Sequence, residues 1–190
     1  MPRPRLLHRL AGGWKVAVLT APAGYGKTTL AMQWAGRRPV LWCRLGPEDR
    51  DPAHLLGSLL AAGERMRPPL PGRARRLFES RRDWERDGGL LTAGFLRELP
   101  PARGERVVVL DDLHLLAEAR TALQWLRRVI EESGPRVRFL ATCRGECPLP
   151  LARFELLGGA VTLGAEELAF TVAEQTALLR RRCGLRVSPR

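Results

Sequence analysis

The chain has 190 residues, 45% of them hydrophobic, which is enough for one substantial core and excludes a disordered or fibrous class. Its formal net charge of +12 comes almost wholly from arginine, with lysine only at Lys15 and Lys27, and the arginines are interleaved with acids, so charge alone does not select a nucleic-acid partner. Cys43, Cys143, Cys147 and Cys183 match neither a metal spacing nor a secreted disulfide framework, and no apolar run is long enough for a bilayer, so a cytoplasmic protein with reduced thiols is expected.

Residues 1–13 are expected to be a lead-in, with Pro2 and Pro4 discouraging helix before the short amphipathic Leu6-Leu7-His8-Arg9-Leu10. Val16-Ala17-Val18-Leu19 reads as the first strand. It leads directly into Ala21-Pro22-Ala23-Gly24-Tyr25-Gly26-Lys27-Thr28-Thr29 and then a helix-compatible run to about Gly36. Strand, glycine-bearing loop and helix is the context a phosphate-binding loop requires. Gly24 and Gly26 let the backbone curl so that successive N–H groups point inward, where the helix N-terminus adds partial positive charge. Phosphate contacts are expected from Ala23, Gly24, Tyr25, Gly26, Lys27, Thr28 and Thr29, with the Thr28 hydroxyl also in a Mg²⁺ shell. Ala21 stands where the usual pattern has its first glycine, which is tolerable if the loop enters with negative φ.

Val40-Leu41-Trp42-Cys43 reads as a second buried strand, and Asp51-Pro52 as the N-cap and first turn of a helix with Leu55, Leu56, Leu59 and Leu60 on its apolar side. Pro68 to Gly72 breaks the chain. Helix is expected to resume from Arg73 to Pro101, with one apolar face at Leu77, Phe78 and Trp84 and a second after Gly88-Gly89; the charged stretch 79–87 reads as a solvated helical face. Val107-Val108-Val109-Leu110 is a strand ending in two acids, followed by a helix from about Ala117 to Glu132. Strands at 137–142 and 160–163 and a helix from Thr171 to Arg182 complete five strands with intervening helices, an α/β pattern.

An apolar strand ending in acids places Asp111 at the carboxyl edge of such a sheet, where a nucleotide's Mg²⁺ needs a carboxylate. Asp112 either orients an attacking water or caps the following loop. Arg144 leaves the same edge after the strand ending at Thr142 and is either a γ-phosphate sensor or a plain surface arginine. His114 reads as a loop-packing histidine ahead of a base.

These strings, with Arg3-Pro4-Arg5-Leu6-Leu7, Leu110-Asp111-Asp112-Leu113-His114, Pro148-Leu149-Pro150-Leu151-Ala152-Arg153 and Phe170-Thr171, resemble the ATPase module of STAND signal-transduction NTPases, specifically MalT-like, LuxR-family (LAL) transcriptional regulators. The expected fold is a three-layer P-loop NTPase of the ASCE type, its five-stranded, mainly parallel sheet in the order 5-1-4-3-2. The resemblance implies that Ala21 is a family habit, that Arg144 senses the nucleotide, and that ADP and ATP with Mg²⁺ set a slow switch whose ATP state permits self-association. Residues 14–190 would be the nucleotide-binding domain, with the lid, winged helix, sensor and DNA-binding parts outside the chain. Direct DNA binding by this segment and membrane insertion are not expected. The competing readings are a self-standing small P-loop phosphotransferase and an arginine-rich nucleic-acid-binding ATPase.

Overall fold

A strand covered on both faces needs apolar side chains at successive positions, and the central runs supply them. The computed structural model describes residues 3–36, 38–80, 83–100 and 103–183, the side chains of 181–183 excepted. Strands β1 (Val16–Thr20), β2 (Val40–Arg44), β3 (Arg106–Asp111), β4 (Val137–Cys143) and β5 (Ala160–Leu163) form one sheet in the order β2-β3-β4-β1-β5. Every pairing is parallel, so the expected order and direction are both met. Along β1, Val16 and Val18 enter one core while Ala17 and Leu19 enter the other.

On one face lie α1 (Pro4–Arg9) and α2 (Lys27–Ala35), whose Leu6, Leu30 and Trp34 pack with Leu19, Val109 and Leu140. On the other lie α3 (Pro52–Glu64), α4 (Arg73–Ser80), α5 (Trp84–Glu98) and α6 (Arg120–Glu132), with Leu56, Phe95 and Leu126 packed in one core with Val108 and Phe139. The result is a three-layer sandwich. Three short or terminal helices, α7 (Ala152–Leu156), α8 (Ala165–Leu168) and α9 (Val172–Cys183), flank β5 in sequence. Among the described residues, no helix is long and apolar enough to cross a membrane.

Several elements differ from the sequence expectation for identifiable reasons. Pro4 opens α1 instead of discouraging it, because proline at the first helical turn sacrifices no intrahelical hydrogen bond. That helix is seated firmly: Leu6 and Leu10 are buried, and Trp14 and Trp34 both donate indole N–H to the Leu10 carbonyl, at 3.0 and 2.8 Å. The stretch expected as helix from Arg73 to Pro101 is two helices, α4 ending at Ser80 and α5 running from Trp84 to Glu98. Asp83 caps α5 by accepting from Arg86 N–H at 3.1 Å, so the charged stretch 79–87 spans a helix junction and is not one face. Gly88 lies inside α5, where the Trp84 ring, 3.2 Å from where a Cβ would sit, leaves no room for a side chain. A 3₁₀ turn at Leu113–Leu116 takes up the chain after β3, and α6 begins only at Arg120. Asp51 caps α3 as expected, accepting from the N–H groups of Ala53 and His54 at 2.9 and 3.0 Å.

The residues around α1 meet the first turn of α9 through charge. Arg3 and Arg5 each reach the Glu174 carboxylate at 3.1 Å. Partial burial works to raise that carboxyl, but the hydrogen bonds from Arg3, Arg5 and the Thr171 N–H outweigh it and bring it from 4.5 down to about 2. A carboxyl lowered in the folded state adds stability above its unfolded value, and that stability is lost as pH falls. Denaturant midpoints should therefore drop as pH falls from about 4.5 towards 2, and Glu174→Gln should start lower and lack this part of the drop. Superimposable pH profiles would refute the contribution.

Candidate functional site

Because all strands run parallel, the carboxyl ends of β1, β3 and β4 emerge at one edge, which is where open α/β sheets place their ligands. The loop between β1 and α2 turns through Gly24 at φ 87° and Gly26 at φ 73°, left-handed conformations that side-chain-bearing residues adopt only at a cost. Ala21 carries no such requirement: among the described non-glycine residues only Asp112 has positive φ, so the alanine enters the loop unstrained. Its N–H donates to the Cys143 carbonyl at 3.2 Å, tying the loop's start to β4.

A cavity of about 480 Å³ opens at this edge. It is lined by Ala23, Gly24, Gly26 and the first turn of α2 on one side, and on the other by Arg44, Asp111, Asp112, Thr142 and Arg144. A larger cavity of about 780 Å³ lies among α3, α4 and α5. Its charged residues Arg75 and Glu79 are already paired at 2.8 Å, and it lacks the converging backbone N–H groups of the sheet-edge site.

Lys27 is the first residue of α2 and is largely buried, its ammonium donating to the Ala21 and Pro22 carbonyls at 2.6 and 2.8 Å. Burial lowers its pKa, as does the nearby Arg144, while Asp112 and Asp111 pull the other way. A lysine held by its own loop in this way is poised to exchange two neutral acceptors for charged ones. Thr28 and Thr29 follow it along the cavity wall. Tyr25 is not a wall residue: its half-buried ring packs on the α1–α2 core, and only its neighbours Gly24 and Gly26 line the cavity.

Asp111 is buried at the end of β3, and one carboxylate oxygen accepts from Thr142 Oγ1 at 2.6 Å and from Thr28 Oγ1 at 3.2 Å. Thr142 in turn accepts from the Asp112 N–H at 3.0 Å, so the strand end and the turn after it are fixed together. Asp112 sits in the left-handed region at φ 64°; its carbonyl accepts from the Leu115 N–H of the 3₁₀ turn at 3.1 Å, but its side chain makes no capping hydrogen bond to that turn. Its carboxylate lies between the guanidinium groups of Arg44 and Arg144, each at 3.6 Å, with His114 Nδ1 at 3.9 Å. Arg144 thus emerges at the cavity as the strand pattern suggested, and is 57% exposed. His114 sits against Asp112 and does not line the cavity.

Arg44 and Thr142 were not legible as site residues. Arg44 ends β2 and Thr142 lies one residue before the end of β4, both strands beside β3, and only the sheet order puts them next to the acids. The signal that could have found Arg44 is its place as the one polar residue closing the apolar run of β2.

No protein-family model matches the chain. It is 32% identical over 183 residues to the HTH-type transcriptional regulator MalT of Vibrio cholerae, a match covering 95% of this chain and 20% of that protein. It is 26% identical over 185 residues to the serine/threonine-protein kinase PknK of Mycobacterium tuberculosis, covering 94% of this chain and 16% of that one. The chain therefore spans about a fifth or less of these relatives' length. Among solved structures, a STAND protein with a tetratricopeptide repeat sensor from Pyrococcus horikoshii superposes with a TM-score of 0.59 at 19% identity, over 98% of this chain and 26% of that one. With 95% of its length matched to MalT at 32% identity, and its fold shared with a STAND ATPase, the chain is a MalT-like P-loop module.

Proposed function

We propose that this module binds ATP and ADP with Mg²⁺ and acts as the slowly hydrolysing nucleotide switch of a signal-responsive transcriptional regulator in the cytoplasm. The observation that carries the reading is the meeting of Thr28 and Asp111, far apart in sequence, at 3.2 Å beside the Lys27 ammonium. A hydroxyl and a carboxylate are hard oxygen donors, which suit Mg²⁺, and so few protein ligands suit an ion that keeps waters and takes the rest of its shell from phosphates. Bound there, Mg²⁺ would neutralise phosphate charge. Lys27 and the backbone N–H groups of residues 23–29 bind the phosphates, Asp112 orients the attacking water, and Arg144 answers to the γ-phosphate.

The arginine excess does not redirect the reading to DNA. On α6, Arg127 and Arg128 are paired with Glu131 and Glu132 at 3.0 and 2.6 Å, and on α4 Arg75 is paired with Glu79, so this basic charge is already matched locally. Self-association in the ATP state and the regulator's output belong to the proposal, since the matched relatives are about five times longer.

Asp111→Asn separates this reading from simple phosphate binding. Calorimetric titration with ADP should show the wild type binding more tightly with Mg²⁺ than with EDTA, and the variant should lose most of that difference while keeping the metal-free affinity. An unchanged magnesium dependence would remove Asp111 from the metal role.

A further inference from the structure

We propose that Arg3 is a positioning residue for the phosphate loop, drawing the Tyr25 carbonyl outward, aiming the Gly26 N–H into the cavity, and making that aim depend on how α9 is seated. The proposal rests on the nucleotide reading above and extends it to a residue outside the cavity.

A guanidinium with only 4% of its side chain exposed must satisfy its donors or destabilise the fold. Arg3 does so across three segments. Its Nη2 donates to the Leu168 and Ala169 carbonyls at 2.8 and 3.0 Å and to the Glu174 carboxylate at 3.1 Å; its Nε donates to the other carboxylate oxygen at 3.3 Å. Those bonds suffice to tie Arg3 to α8 and α9. The remaining contact, Nη1 to the Tyr25 carbonyl at 3.4 Å, goes instead into the phosphate loop. At that length it biases the peptide by charge more than it locks it.

The consequence follows from peptide geometry. In a trans peptide the C=O and the next N–H point in opposite directions. Arg3 lies on the Tyr25 carbonyl side, outside the cavity, and Gly26 lines the cavity, so a carbonyl held towards Arg3 turns the Gly26 N–H towards the space where phosphate would sit. A second contact bears on the same peptide. The Arg3 guanidinium lies 4.4 Å from the centre of the Phe170 ring, and that ring is the nearest atom group to the missing Gly26 side chain, 4.0 Å from where a Cβ would be. Phe170 thus backs Gly26 from behind while Arg3 holds Phe170 in place.

Both contacts are set by the start of α9. Glu174 accepts from the Thr171 N–H at 3.0 Å while its own N–H donates to Thr171 Oγ1 at 3.2 Å, a reciprocal cap that fixes the carboxylate to the helix's first turn. Moving that turn moves the anion that holds Arg3 and the ring that backs Gly26. Phosphate affinity and the seating of α9 are therefore linked, and the linkage acts equally in both directions.

The test uses the ¹⁵N-labelled chain, Mg·ADP as the probe, and the variants Arg3→Lys and Phe170→Leu. Arg3→Lys keeps the charge and its reach to Glu174 but loses the fork; Phe170→Leu keeps an apolar side chain but removes the ring. Each is expected to weaken Mg·ADP about 10-fold, the net worth of the one charge-assisted hydrogen bond from the Gly26 N–H to phosphate that either change would misaim. Each should also reduce the shift of the Gly26 amide resonance on nucleotide addition, in protein whose far-UV spectrum and other core amide resonances are unchanged. A packing role alone would lower the melting temperature without selectively altering the Gly26 response. If either folded variant binds within about twofold of wild type with the wild-type Gly26 shift, the assignment is overturned and the nucleotide reading stands. If the wild type itself binds no Mg·ADP, the nucleotide reading fails and this proposal fails with it.

Discussion

Lys27→Ala is expected to weaken both Mg·ATP and Mg·ADP by about 100-fold or more, the loss of one cation making two charge-assisted hydrogen bonds to phosphate oxygens. The size of the effect follows from where the ammonium sits. It sits at the first turn of α2, where the helix dipole and the loop's N–H groups already favour an anion, so its charge adds to a field already arranged for phosphate. The fold should hardly notice. In the free loop Lys27 donates only to the Ala21 and Pro22 carbonyls, beside the open cavity where water can replace it. Calorimetry and thermal melting on the same sample check both halves. Equal nucleotide affinity in the variant would remove Lys27 from the site, and a large fall in melting temperature would mean that it serves the fold instead.

Phe139→Ala should do the reverse. Phe139 is 1% exposed in β4, the strand flanked by β1 and β3, with Val16 and Val108 as its register partners. Removing a fully buried ring loses its transfer free energy and leaves a cavity, a cost of about 3–5 kcal/mol. Against a typical total of about 5–15 kcal/mol this is a large fraction, and for a domain of this size it lowers the melting temperature on the order of 10 °C. At a temperature where the variant is still folded, Mg·ADP affinity should stay within a few-fold of wild type, because the cavity-lining Thr142 and Arg144 lie past Phe139, at the carboxyl end of β4 and in the loop after it. A fall of less than about 1 kcal/mol in denaturant unfolding would contradict the placement of this ring at the centre of the core.

What was legible in the sequence is what local rules determine. Strands covered on both faces appear as unbroken apolar runs such as Val107-Val108-Val109-Leu110, and a phosphate loop is a contiguous string. The two acids could be placed at the sheet edge because a parallel strand's carboxyl end faces that way whatever its neighbours. The pieces that escaped depend on tertiary neighbours. Arg44 and Thr142 join the cavity only because β2 and β4 flank β3. Arg3 looked like the start of a lead-in until the fold brought Glu174 to it. Gly88-Gly89 carries the usual marks of a break, yet α5 runs through it, with the Trp84 ring packed against Gly88. The left-handed turn at Asp112 has no sequence signature either, since it is fixed by its N–H bonding to Thr142 on the next strand.

The central claim is that the loop at Ala21 to Thr29 and the acid at Asp111 form one magnesium–nucleotide site. The most direct measurement is a crystal structure of this chain with Mg²⁺ and a non-hydrolysable ATP analogue. The account predicts phosphates against the 23–29 backbone, Lys27 moved off the Ala21 and Pro22 carbonyls onto them, and the metal between the Thr28 hydroxyl and the Asp111 side of the cavity. An analogue bound elsewhere, such as between α3, α4 and α5, with Lys27 still on its own loop, would contradict it.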